Sequence, residues 1–185
     1  SPIFLSCETR RILCRAAIGE LALEWDWPLN RGKAVLVVRH DYDPKNAQKF
    51  LGQQQTRYPR KNWSSVMYFD CSKCTALTPE YVNTASGLDL HRFNWLTDLR
   101  PDEIAYMEQE RPGWTLEKET AKRIGNIPHA WNHLVGEFAP NANAKILHYT
   151  NGGPWFDDYK DTDHAAEWFE ERERMLACVQ ASATY

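Results

Sequence analysis

Ala34-Val-Leu-Val-Val38 constrains this chain more than any other stretch. A continuous apolar, largely β-branched run has no polar alternation with which to face water. It therefore reads as a central strand buried on both faces. A sheet of that kind needs helices to cover it, and helical patterns follow along the chain. Ala16 to Trp25 has helix-favouring composition, with Ile18, Leu21 and Trp25 on one face. Thr78-Pro79-Glu80 opens a second helix, with Thr as N-cap and Pro in the first turn. Leu88 to Leu96 is a third, and Thr162 caps a last one with Ala165, Trp168, Phe169, Leu176 and Val179 at helical spacing. Further strands are expected at Ile3 to Ser6, Ser65 to Phe69, Ala130 to Val135 and Lys145 to Tyr149. Strands alternating with helices predict an α/β domain, a mixed central sheet flanked by helices.

The length, 185 residues, suits a single domain over 1–185. Two stretches depart from the alternation. From His40 to Asn62 the chain is polar, with a short helix expected over Asn46 to Leu51. From Thr97 to Arg123 it is charged and carries two helical patterns split by Arg111-Pro112-Gly113. Thr115 caps the second of these and Gly125 ends it, so 97–123 reads as a surface insertion. A formal net charge of −3 argues against a general nucleic-acid binder. Five cysteines without regular spacing read as reduced thiols in a cytoplasmic setting. No segment has the apolar length of a membrane span. The chain opens Ser-Pro-Ile-Phe-Leu, as a strand entered partway would, so an upstream portion is expected.

Four constellations could carry chemistry. In Ile146-Leu-His-Tyr-Thr-Asn-Gly-Gly-Pro-Trp155, His148 ends an apolar strand, where sheets present ligands. Gly152 and Gly153 lack a Cβ, so backbone N–H groups there could approach a phosphate, and Trp155 supplies a flat wall. A structural hydrogen-bonding histidine is the competing reading. In Arg60-Lys-Asn-Trp-Ser-Ser65 the cations could neutralise a diphosphate. Asn62 and Ser64 could bond sugar hydroxyls, and Trp63 could stack on a ring face. The plain alternative is a solvated basic turn with a core tryptophan. Asp41 and Asp43 could bind a divalent cation, but Asp-Pro sequences also simply make turns, the reading preferred here. Cys71-Ser-Lys-Cys74, without a second pair, reads as incidental thiols rather than a zinc site.

Together these pieces resemble the family-8-like glycosyltransferases of the GT-A fold, in particular bacterial glycosyltransferase-like proteins. The resemblance runs through Val35 to Tyr42, Lys49 to Gly52, Tyr58 to Ser65, Leu77 to Thr84 and His148 to Trp155. It implies a nucleotide-sugar donor, a carbohydrate acceptor, Mn²⁺ (or Mg²⁺) and sugar transfer with retained anomeric configuration. A nucleoside diphosphate leaves readily only once its charge is neutralised. By that resemblance His148 is a metal ligand, and Gly152, Gly153, Trp155 and Lys61 face the donor. Asn62, Trp63 and Ser64 shape the sugar site, while Asp89 and His91 are candidates for positioning the acceptor. A surface carboxylate and a helix-packing histidine are the preferred plain readings of those last two.

The pattern departs from the family in two places. The turn after His148 is one residue shorter, with Gly153 where a lysine usually precedes the proline. Ser6-Cys7-Glu8 stands where an Asp-x-Asp pair is expected, leaving Glu8 as the one carboxylate ligand there. The donor-binding first half of the fold also has no counterpart, so the chain resembles the C-terminal portion of a GT-A domain. A missing N-terminal half or a second copy would then cover the sheet. The competing function is a catalytically inactive remnant that binds a sugar, a nucleotide or a protein.

Overall fold

The computed structural model describes Leu23 and residues 30–182. The expected strand at Ile3 to Ser6, nearly all of the helix at Ala16 to Trp25, and Glu8 lie outside the described residues. Those described are mixed α/β, with short strands in small sheets, and they fall into two compact units. The first holds 30–41 and 58–129; the second holds 42–57 and 130–182.

In the first unit, β1 (Val35–Val37) is the central strand, and Ala34 to Val38 are all essentially inaccessible. It pairs antiparallel with β4 (Met67–Phe69) and parallel with β5 (Ile124–Asn126). The mixed sheet is thus real, in the order β4-β1-β5. Its third strand is a correction: Gly125, expected to end a helix, lies inside β5. A Cβ there would sit 2.3 Å from Leu36 Cδ2 and 2.6 Å from Asn30 Oδ1. Only glycine lets the strand close on its neighbour. Asn30 then grips both backbone groups of Asn126, at 2.8 and 2.9 Å.

Two helices of this unit start where their caps predict. Thr78 Oγ1 accepts from Tyr81 N at the head of α1 (Pro79–Thr84). Thr115 Oγ1 accepts from Lys118 N before α4 (Leu116–Ala121). Between them, α3 (Pro101–Glu110) buries no residue. α2 (Gly87–His91) is shorter than the expected Leu88 to Leu96 helix, because Phe93 takes a left-handed backbone with φ 60°. The irregular turn that follows drives Phe93, Trp95 and Leu96 into the core beside Val35, Val37 and Phe69.

In the second unit, β2 (Gln48–Lys49) and β3 (Gln53–Gln54) form a hairpin over a 3₁₀ turn at Phe50–Gly52. The helix expected at Asn46 to Leu51 is therefore absent, and Leu51 sits at φ 56°. β6 (His133–Leu134) and β7 (Leu147–His148) form a separate parallel pair rather than extending the first sheet. α5 (Ala165–Ser182) begins three residues after Thr162, which gives Ala165 N a backbone carbonyl at 3.1 Å and does not stand at the N-cap position expected for it. No helix among the described residues is long and apolar enough to cross a membrane.

Candidate functional site

β7 ends on His148 as its sequence predicts. The residue's carbonyl accepts from Val135 N and Thr150 N, both at 2.9 Å, which fixes its backbone. Its Nδ1 lies 3.2 Å from Oδ1 of Asn132, a side chain with no exposure at all. An amide oxygen only accepts, so Nδ1 carries the proton and, in the neutral ring, the lone pair sits on Nε2. That is the tautomer in which a histidine ligates a cation through Nε2. Sixteen residues separate the two partners, and no motif in the sequence links them.

The turn after β7 is built by its own aromatics. Asn151 to Pro154 are buried, and Asn151 O accepts from Phe50 N at 2.7 Å. Gly152 has φ 148°, and a Cβ on it would lie 2.7 Å from the Tyr159 ring. At Gly153 a Cβ would fall 1.8 Å from the Trp155 indole. The glycines are therefore required by two packed rings. Trp155 is 45% exposed, and its indole packs on Trp168 with ring centroids 5.3 Å apart.

The basic loop belongs to the first unit, and there Arg60 departs from expectation. Its side chain is 2% exposed, and NH1 donates to Thr120 Oγ1 at 2.9 Å. It also donates to the carbonyls of Arg92 and Glu117, and Nε lies 3.8 Å from the Glu117 carboxylate. Burial, more than any neighbouring charge, lowers its pKa from the usual arginine value. Arg60 is an internal clamp, unable to neutralise a diphosphate. Trp63 donates through Nε1 to His40 O at 2.8 Å, and the guanidinium groups of Arg39 and Arg60 lie 5.4 and 5.7 Å from its ring centroid.

Four side chains do gather on this unit. Ser64 Oγ and His91 Nδ1 are 2.5 Å apart, the His91 ring lies 6.2 Å from that of Tyr58, and the Lys61 amine sits 5.2 Å over Tyr58. Lys61, Ser64 and His91 were legible as candidates, but Tyr58, which joins them, carries no motif of its own. Asn62 holds a left-handed backbone at φ 61° and its carbonyl accepts from Ser65 Oγ. Asp89 is occupied locally: its carboxylate accepts from Ser86 Oγ at 2.6 Å and Asn94 Nδ2 at 2.8 Å. Those two bonds hold it below the usual carboxylate range. It stitches α2, the plain reading of that carboxylate.

Asp43 pairs with Arg57 at 2.8 Å on the exposed surface of the second unit, which suits a turn. Cys74 is buried, donates to Ala34 O, and its thiol is pushed up to about 11, mainly by burial. Among the described residues no group of three or more His, Cys, Asp or Glu side chains could hold a metal ion.

No protein-family model matches the chain. No solved structure matches it. It is similar to Protein CDI of Arabidopsis thaliana, 42% identical over 147 residues, covering 76% of this chain and 48% of that protein. The chain thus spans about half the length of this curated relative.

Proposed function

We propose that this chain is part of a glycosyltransferase-like protein of the GT-A type. It moves a sugar from a nucleotide-sugar donor to a carbohydrate hydroxyl with the help of Mn²⁺ or Mg²⁺. The observation that carries this reading is His148. It ends a strand, and Asn132 holds the ring with its lone pair on Nε2. The cation, when bound, would neutralise the leaving diphosphate. One histidine does not make a site for a hard cation, which prefers several oxygen ligands. The reading therefore adds Glu8, outside the described residues, and diphosphate oxygens of the donor. Trp155, with Gly152 and Gly153 before it, serves the donor. On the first unit, Asn62, Trp63, Ser64 and His91 serve the acceptor, with Tyr58 added beside them.

A second reading has its own support. Tyr159 packs on Gly152 and Trp155 on Gly153 where a side chain would stand, and a turn filled by its own rings suits an inactive remnant that binds a sugar, a nucleotide or a protein. Turnover separates the two. The chain is incubated with Mn²⁺ and a panel of nucleoside-diphosphate sugars, and release of free nucleotide is followed. The enzyme reading expects release from at least one donor, and a loss of about a hundredfold or more in His148→Ala, the scale seen when charge stabilisation is removed. No turnover with any donor, alongside measurable sugar binding, leaves the remnant.

A further inference from the structure

Among the described residues, the last helix leaves an apolar stripe exposed. α5 is anchored at its start, where Trp168 packs on Trp155 and Phe169 lies edge-on to Trp168 at 5.1 Å. Beyond that anchor the stripe runs into solvent: Phe169 is 40%, Met175 44% and Val179 60% exposed. Positions 168, 169, 172, 175, 176 and 179 share one helical face, with Arg172 its single polar member. Apolar side chains exposed along one helical face offer a surface for a partner.

Charge decides what the stripe accepts. Residues 157–182 carry eight carboxylates against three Lys and Arg, a net −5, whereas the whole chain is −3. The rest of the protein is therefore net positive, and its acid is concentrated around this helix. Asp157, Asp158, Asp161 and Asp163 are exposed and form no ion pair among the described residues. An anionic membrane surface would be repelled, because helices that lie on membranes are basic. A second copy would bring the same negative field to the contact.

We propose that α5 and Trp155 form a docking surface for a basic amphipathic helix of a protein partner. Its apolar anchors pack along Phe169, Met175 and Val179, and its Lys and Arg meet the acidic run Asp157 to Asp163 ahead of the helix. Methionine and tryptophan suit such a contact: one adapts its shape, and the other accepts cations on its ring face. This inference stands independently of the glycosyl-transfer reading.

The test uses the full chain and a fluorescently labelled synthetic Leu/Lys amphipathic helical peptide, read by anisotropy. Two control peptides are a Leu/Glu counterpart and a scrambled Leu/Lys sequence without a one-sided apolar face. Binding of the ordered Leu/Lys peptide alone is expected, weakening as ionic strength rises. Met175→Asp and Val179→Asp, which lie outside any core, should each weaken it about tenfold although they add negative charge. Asp158→Asn with Asp161→Asn should weaken it less. Equal binding of the scrambled peptide, or of the Leu/Glu peptide, overturns the proposal. So does a dimer in sedimentation that Val179→Asp dissociates, which would assign the stripe to a second copy. Circular dichroism of each variant excludes loss of the helix as the cause.

Discussion

Arg60 is the residue whose surroundings differ most from what its neighbours in sequence suggest. In sequence it is one of two adjacent cations in a polar loop, and solvent is the natural place for both. Its guanidinium instead meets three acceptors and a carboxylate inside the first unit. A planar fork can satisfy that set, whereas an ammonium cannot. Arg60→Ala should cost about 3–5 kcal/mol, the scale of a broken buried charge network. Arg60→Lys should recover less than half of it, and Thr120→Val alone should cost about 1 kcal/mol. Urea denaturation of the three variants measures this; a surface-like loss below about 0.5 kcal/mol for Arg60→Ala would refute the clamp. Asp89 gives a pH prediction. Its folded pKa is depressed, chiefly by Ser86 and Asn94, so its contribution is present above the ordinary carboxylate pKa. That contribution fades as acid takes the solution down through the folded value. Ser86→Ala should move the Asp89 titration midpoint upward, read by carboxyl NMR. An unchanged midpoint would mean the bond contributes nothing.

Among the elements, boundaries set by local chemistry could be read in advance. Thr78 and Thr115 cap helices because a hydroxyl beside a helix start accepts an orphan backbone N–H, which depends on neighbours in sequence. β5 could not be read, because Ile124-Gly-Asn126 has neither length nor alternation. Its identity as a strand rests on Leu36 and Asn30, roughly ninety residues away in sequence, closing over Gly125. The surface insertion also divides once the contacts are known. α3 buries nothing, whereas α4 supplies Glu117 and Thr120 to the Arg60 clamp. Replacing residues 100–111 with a short Gly/Ser linker should leave the unfolding free energy within about 1 kcal/mol of the parent. Removing α4 as well should abolish cooperative unfolding. A midpoint collapse in the first deletion would show that α3 is integral.

For the whole molecule, cation binding offers a check that does not depend on turnover. A ligand that binds the folded chain raises its melting temperature by mass action. Under the proposed metal reading, Mn²⁺ should raise the midpoint, EDTA should reverse the rise, and His148→Ala should remove it. A rise that survives His148→Ala would place the cation elsewhere. The sequence by itself determined the buried central strand, the capped helices and the strand-end histidine, because each depends on side chains close together in the chain. The pattern of apolar runs was also enough to specify a mixed α/β architecture. Tertiary structure alone decided the short parallel pair that carries His148 and the Asn132 contact that sets its tautomer. It likewise decided the rings that make Gly152 and Gly153 necessary, and the burial of Arg60. Those facts rest on partners separated in sequence or on which ring fills which gap, and no local pattern encodes either.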